Sequence, residues 1–197
     1  MAITAESVRE LREKTGAGMM DCKKALEQAD GDMEKAINIL REKGAAVLSK
    51  REAKVTSEGT IACYIHTGGK IGVMVELNCE TDFVAKTDDF QEMARDIAMQ
   101  VSWSQPEYIT REDIPSEKIE QEREIHMQWA RNEKKPEAAL PKIVEGRMEK
   151  YYSTVVLMDQ PFIKNDDTTI GEIIKEKVGK LGEKIIVRRF IRYRVGE

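Results

Sequence analysis

Several features that mark common protein classes are scarce in this sequence. Its 197 residues include only 5 prolines and 3 cysteines. Few prolines, together with 41% hydrophobic and 35% charged residues, exclude a disordered or fibrous chain and indicate a globular protein with solvated helices. The cysteines Cys22, Cys63 and Cys79 form no paired framework of the kind that secreted domains use, so we expect reduced, buried thiols.

Long apolar runs are also missing. No run approaches the roughly 20 residues that a membrane-spanning helix needs. The start, Met1 to Glu6, has neither the basic and apolar regions of a secretory signal nor the arginines of a transit peptide. We therefore expect a cytoplasmic protein that does not enter membranes.

The sequence has no excess of positive charge. Its formal net charge is −4, whereas binding to a phosphate backbone needs a surplus of Lys and Arg on one face. Arg188, Arg192 and Arg194 alternate near the end of the chain, and we interpret them as one solvated face of a strand. We expect no nucleic-acid partner, although a local basic patch stays open.

Groups suited to catalysis or metal binding are few. His66 and His126 are the only histidines, which leaves few bases for a nucleophile. Cys63 and His66 lie three apart in a predicted strand and so point to opposite faces, which excludes a shared metal ion. The glycines of Thr15–Gly18 do not match a phosphate-binding loop. We expect no enzymatic activity, no metal and no cofactor.

The first 43 residues repeat a helical spacing three times. We predict that Thr4, Asp21 and the Asp30–Asp32 segment cap three helices, that Gly44 ends the third, and that a linker covers 45–57. Partial helix within this linker stays open. The apolar positions on which this depends are Val8, Leu11, Cys22, Ala25, Leu26, Ala29, Met33, Ala36, Ile37 and Leu40.

Beyond residue 57 the apolar period changes to two. Ile61–Ile65 and Ile71–Leu77, joined by Thr67–Lys70, predict a β-hairpin, and Ile185–Val195 can add a third strand. Thr87 opens a helix, and further helices follow. The predicted class is α+β: a three-helix domain plus linker at 1–52, then a core domain at 53–197 with a small antiparallel three-stranded sheet and a charged helical protrusion around 116–150.

Two apolar sites are candidates for contact with a partner. Met19 and Met20 fall in the predicted loop between helices, where both cannot face a small core, and flexible thioethers suit a partner's apolar patch. Phe83 follows the hairpin, and Asp82 directly before it favours an exposed loop. Core packing stays open as the alternative at both places.

Two long motifs carry a family resemblance. Leu11–Leu26 and Leu77–Ala85 resemble the two signatures of elongation factor Ts, and Gln160–Lys164 and Val187–Phe190 continue the likeness. The resemblance implies a head similar to a ubiquitin-associated domain, a core dimerisation domain, and a guanine-nucleotide exchange factor for elongation factor Tu without covalent catalysis.

The resemblance also assigns residues to the contact with elongation factor Tu. The head is implied to dock on the partner's nucleotide domain, and the turn after the hairpin to press its aromatic ring between two partner helices, which displaces Mg²⁺ and promotes GDP release. The head residues are Arg12, Met19, Met20 and Lys23, and the turn residues are Thr81, Asp82, Phe83 and Val84.

The chain departs from longer family members, which carry a second copy of the core. A homodimer would restore that second copy by symmetry, and alternation places Ile191, Tyr193 and Val195 on one face that can pair with its own copy. Two other functions stay open: a ubiquitin-type adaptor built on the head, and an enzyme acting on a nucleotide.

Overall fold

A computed structural model describes the backbone of residues 3–51 and 53–197, with side chains for all of these except 44–51. The chain belongs to the predicted α+β class. Its elements are α1 (Ala5–Thr15), α2 (Met19–Gln28), α3 (Met33–Arg51), β1 (Glu58–Ile65), β2 (Ile71–Cys79), α4 (Asp82–Ala85), α5 (Asp88–Ser104), α6 (Ser116–Asn132), α7 (Leu140–Val155), β3 (Pro161–Phe162), β4 (Asn165–Thr169), α8 (Ile170–Leu181) and β5 (Ile186–Arg194).

The first three helices close around a small core of their own. Thr4 Oγ1 accepts a hydrogen bond from Ser7 N at 3.2 Å, and Asp32 Oδ1 accepts one from Lys35 N at 3.0 Å. Both predicted helix starts are thereby confirmed, since these bonds satisfy amides that a helix leaves free. The buried side chains of this core are Val8, Leu11, Cys22, Ala25, Leu26, Ala29 and Ala36.

The predicted start of α2 was wrong. The helix begins at Met19, with Gly18 as its N-cap and no side-chain cap, so the two methionines lie in its first turn and not in a loop. Gly18 O accepts from both Asp21 N and Cys22 N at 2.9 Å. Asp21 therefore stands inside the first turn, where its charge still favours the helix dipole.

The predicted end of α3 was also wrong. The helix continues through Gly44 to Arg51 and packs against α8. A single glycine costs a helix only about 1 kcal/mol, and the residues that follow it include the good helix formers Ala45, Ala46 and Leu48. The connection to the core domain is correspondingly shorter than the predicted linker.

The core domain is built on the predicted antiparallel sheet, in the order β1-β2-β5. Its inner face packs against α4, α5 and α8, and the hairpin delivers Val73, Val75 and Leu77 to the buried side. The largest core side chain from the helices is Phe90 of α5, which is fully buried. This packing fixes the end of β2, from which the candidate site projects.

The outer face of the sheet is apolar and exposed. Cys63 of β1 pairs with Met74 of β2, and Met74 pairs with Ile191 of β5. In the same way, Gly72 of β2 pairs with Ile65 on one side and with Tyr193 on the other. The expectation that Cys63 is buried was wrong, because Ala62 and Tyr64 take the inner positions of β1.

A bulge changes the faces of β5. The register shifts between Glu76 and Leu77, so that Val187 faces Leu77 but Phe190 faces Val75. The extra residue reverses the alternation. Val187 is therefore buried, whereas Ile191 and Tyr193 share the exposed outer face, as predicted.

The charged segment after α5 forms a helical hairpin of α6 and α7. Arg123 Nη1 lies 3.1 Å from Glu145 Oε2, and the guanidinium of Arg147 lies 3.3 Å from the ring centroid of Trp129. The hairpin joins the rest of the core through Arg111, which binds Glu149 on α7 and Asp159. Within residues 3–51 and 53–197, no helix is long and apolar enough to cross a membrane.

Candidate partner-binding site

The sheet ends in a one-turn helix at the second motif. β2 finishes at Cys79, and Thr81, in an extended conformation, caps α4 by accepting from Val84 N at 3.4 Å. Thr87 Oγ1 donates to Val84 O at 2.8 Å and then caps α5. The predicted turn is thus a single helical turn held between two threonines.

This turn directs its aromatic ring outward. Phe83 is 80% exposed, whereas Val84 packs against the core and Ala85 is buried. The open alternative, a ring folded back on the hairpin, is excluded. The exposed ring is therefore available for contact with another molecule.

Asp82 forms a local ion pair. Its carboxylate lies 2.6 Å from Lys86 Nζ, one turn along the chain. The hydrogen bond from Lys86 lowers the pKa of the Asp82 carboxyl, so the group stays charged in the acid range down to lower pH than an ordinary aspartate. The negative charge also stands at the start of α4, where the helix dipole favours it.

A residue that the sequence reasoning missed fixes the base of the turn. Glu183 Oε1 accepts from Thr81 Oγ1 at 2.6 Å, and its Oε2 accepts from Thr81 N at 3.0 Å and Glu80 N at 3.2 Å. Glu80 Oε1 in return accepts from Lys184 N at 2.7 Å. These bonds to Glu183, which we call the Glu183 clamp, join segments that lie 102 residues apart in the sequence. The periodicity of apolar residues describes neighbouring positions only, so it could not indicate this contact.

The thiol beside the turn is not suited to covalent chemistry. Cys79 Sγ donates to Thr81 O at 3.1 Å. Burial, and then the negative charge of Glu183, raise the pKa of Cys79 to about 11. The protonated thiol is a poor nucleophile at neutral pH, and within the described residues no group of His, Cys, Asp and Glu side chains could hold a metal ion.

The predicted head residues are exposed around the loop between α1 and α2. Met19 is 44% and Met20 63% exposed, so both thioethers reach solvent from the first turn of α2. Arg12 and Lys23 are also exposed. The loop turns sharply because Gly16, at φ 66°, ends α1 with its N–H bonded to Arg12 O at 2.7 Å.

Helix α8 connects the head loop with the region of the turn. The side chain of Lys180 lies against Gly16, where an added Cβ would come within 3.1 Å of its Cδ. Lys180 Nζ then lies 2.7 Å from Asp89 Oδ2, and Lys177 Nζ lies 2.6 Å from Asp89 Oδ1. Asp89 is in the first turn of α5, directly after the turn that carries Phe83. Both sets of predicted residues are thus attached to the same end of α8.

Comparison with known proteins shows the family of this chain. The family model described as elongation factor TS matches residues 3–197. The chain belongs to the elongation factor Ts family. An elongation factor Ts of Carboxydothermus hydrogenoformans is 58% identical over 99% of this chain and 90% of its own length. The one from Moorella thermoacetica is 58% identical, covering 99% and 96%, and that from Syntrophus aciditrophicus is 57% identical, covering 100% and 98%. These elongation factor Ts relatives extend little beyond the length matched here.

Proposed function

We propose that this chain is a guanine-nucleotide exchange factor for elongation factor Tu and acts in the cytoplasm during translation. One observation carries the proposal: Phe83 is 80% exposed on a turn whose base is tied to the core by Glu183. A rigid aromatic ring offered from a fixed turn is a typical binding anchor. It lies within one of the two motifs that resemble the elongation factor Ts signatures.

The turn acts as a wedge. Phe83 enters between two helices of the partner, and Thr81 and Val84 hold the turn from behind through the Glu183 bonds and the core contact. Packed helices shift as units, so a shift at the wedge reaches the ligands of the Mg²⁺ and of the GDP phosphates. Asp82, which stays charged beside Lys86, is placed to meet polar groups at the rim of the pocket.

The head supplies a second contact. Met19 and Met20 give an adaptable apolar patch, because unbranched thioethers adjust to an irregular surface. Arg12 and Lys23 add positive charge beside it, which favours an acidic strip on the partner and speeds association. The head thereby holds the partner's nucleotide domain while the wedge acts on it.

No bond in the nucleotide is made or broken by this function. The exchange factor binds the nucleotide-free partner best, so thermodynamic reciprocity requires that GDP weaken the binding of the exchange factor by the same factor.

The outer face of the sheet supports a homodimer. Ile61, Ile65, Met74, Ile191 and Tyr193 are each more than 40% exposed and lie on neighbouring strands. Two such faces related by a two-fold axis would stack as a sandwich of two sheets, about 10 Å apart, and remove the patch from water. The homodimer would contain two copies of the core domain, as the longer family members do in one chain.

Complex formation tests the proposed function. We expect the chain to co-elute with nucleotide-free elongation factor Tu in size-exclusion chromatography and to separate from it in excess GDP and Mg²⁺. Failure to form a complex, or a complex indifferent to GDP, would contradict the proposal. Ubiquitin in the same experiment is the control, since capture of ubiquitin without elongation factor Tu would favour the adaptor function.

A further inference from the structure

The turn from Thr81 to Val84, which we call the wedge turn, is too short to keep its conformation by itself. Helix α4 has four residues, and a helix this short is not stable in water because its nucleus costs more than its few hydrogen bonds return. Phe83, at 80% exposure, gains little from the core. The conformation of the turn must therefore come from what it is attached to.

Three of the hydrogen bonds that hold the base of the turn end on one carboxylate. Three donors, from Thr81 N, Thr81 Oγ1 and Glu80 N, meet the two oxygens of Glu183 at 2.6 to 3.2 Å. Hydrogen bonds to an ionised acceptor are about twice as strong as neutral ones. All three donors precede Phe83 by two or three residues, so they fix the direction in which the ring leaves the core.

The carboxylate of Glu183 lies directly after a helix that packs in the core. Glu183 follows Gly182, which ends α8 in the left-handed conformation at φ 73° and turns the chain towards β2. Helix α8 is anchored in the core by Ile170, Ile174 and Val178. Glu183 lies in the short loop between α8 and β5, one residue past the Gly182 cap, so the turn is tied to the end of a helix whose apolar side packs in the core.

We propose that Glu183 is a positioning residue of the exchange reaction: it stiffens the wedge turn, so that the partner's helices move when Phe83 inserts. This inference rests on the proposed exchange function. If the turn is flexible, ordering it on binding costs part of the interaction free energy, and the displacement of the partner's helices is smaller. The head contacts do not depend on the turn, so affinity falls less than the rate of GDP release from the saturated complex.

Concentration-dependent release of a fluorescent GDP analogue from elongation factor Tu separates the two quantities. For Glu183→Gln, which keeps the shape but removes the charge, we expect the maximal release rate to fall about tenfold. We expect the half-saturating concentration to change less than about threefold. Thr81→Val removes the hydroxyl that donates to Glu183 and that also accepts from Val84 N as the cap of α4, and it should act in the same direction. In the double variant the losses should combine to less than their product, because both act through one hydrogen bond.

A matched control is available at the other end of α8. Glu172 accepts from Thr169 N at 2.8 Å, Thr169 Oγ1 at 3.2 Å and Thr168 Oγ1 at 3.3 Å, which is nearly the same set of bonds. Glu172→Gln should therefore cost similar thermal stability and leave the maximal release rate unchanged. Equal maximal rates for the two variants would overturn the proposal.

Hydrogen exchange of the isolated chain gives an independent reading. Amides from Phe83 to Ala85 should exchange faster in Glu183→Gln and at the wild-type rate in Glu172→Gln. Unchanged exchange there overturns the proposal, and if Glu183→Gln does not fold, the amide exchange and maximal rate of Glu183→Asp, which keeps the charge but shortens its reach by one methylene and leaves the Thr81 cap in place, decide it. If the wild-type chain does not accelerate release of the GDP analogue from elongation factor Tu, the proposed exchange function is wrong. The amide exchange still shows whether Glu183 stiffens the turn.

Discussion

At the scale of single residues, the site depends on which of two adjacent apolar side chains packs into the core. Phe83 is exposed while Val84 packs inward, although both are apolar and adjacent. Asp82 before the ring indicated exposure from sequence alone. For Cys63 the sequence favoured the wrong face, since a period of two shows that faces alternate but not which one is buried.

Phe83→Ala should lower exchange activity far more than stability. Loss of an anchor ring typically costs about 2 to 4 kcal/mol of interaction, whereas an exposed side chain changes folding stability by no more than about 0.5 kcal/mol. GDP-release kinetics and thermal melting measure the two effects. Phe90→Ala is the matched control, because Phe90 is fully buried and its truncation should cost about 3 to 5 kcal/mol of stability. Melting of Phe83→Ala as low as that control would mean that Phe83 is a core residue.

The cysteines should differ in reactivity as their positions differ. Cys63 is exposed, whereas Cys22 and Cys79 are buried and burial raises the pKa of each. Iodoacetamide at pH 8 should label Cys63 first, and the other two only after unfolding. Because Cys63 lies on the proposed dimer face, its labelling should slow as protein concentration rises. Mass spectrometry of the labelled peptides checks both points, and early labelling of Cys79 would contradict the structure.

At the scale of elements, the sequence predicted the hairpin, the third strand and most helices, because their apolar periods are clear. Helix ends were less predictable: α2 begins earlier and α3 ends later than the capping residues indicated. Both deviations depend on backbone bonds and packing that propensity does not contain. The Glu183 clamp lay outside sequence reasoning altogether, since only the fold brings Thr81 and Glu183 together.

The contact between α5 and α8 should depend on pH through Asp89. Hydrogen bonds from Lys177 and then Lys180 lower the pKa of Asp89. Its folded pKa lies below the unfolded value of about 3.9, so its stabilisation is complete above that value and is lost as pH falls through the folded pKa. Asp89→Asn should therefore destabilise the chain by about 1 kcal/mol at pH 7, and the difference from wild type should shrink below about pH 4.

Thermal melting of Asp89→Asn across this pH range checks the prediction. Asp88→Asn is its control, because it removes an exposed charge at the same helix end and leaves both lysine bonds to Asp89 in place. A stability difference for Asp89→Asn that persists undiminished well below pH 4 would show that the loss is not one of charge.

At the scale of the whole molecule, one helix bridges two of the three hydrophobic clusters among the described residues. The head encloses Leu11 and Leu26, and the core domain encloses Leu77 and Phe90. Helix α3 packs on α8, so α8 supports the head on one side and, through Glu183, the wedge on the other. The division of the chain into domains at 1–52 and 53–197 stays a prediction, and the sequence did not indicate this shared support.

A chain that begins at Glu58 should stay folded but bind elongation factor Tu poorly. Its sheet and hydrophobic cluster remain complete, whereas the head contacts are gone and part of α8 becomes exposed. Circular dichroism should show a cooperative but lower melting temperature, and co-elution with nucleotide-free elongation factor Tu should weaken. Loss of the cooperative transition would mean that the core does not fold without the head.

The full chain should behave as a homodimer held by packing. Light scattering at micromolar concentration should give about twice 22.4 kDa, with or without a thiol reductant. Ile65→Lys, on the outer face, should give the monomer mass, because burying an unpaired charge in the interface is costly. Val55→Lys is the control, since Val55 is 78% exposed and lies outside the sheet. A wild-type mass near 22.4 kDa, or a dimer lost only on reduction, would contradict this prediction.

Release of a fluorescent GDP analogue from elongation factor Tu, measured with and without this chain, tests the exchange function directly. We expect that wild-type protein accelerates release in a saturable manner, and that Phe83→Ala, though fully folded, accelerates it at least about tenfold less. Release unaffected by the wild-type chain, or accelerated equally by Phe83→Ala, would contradict the claim that the exposed ring of a fixed turn drives nucleotide exchange.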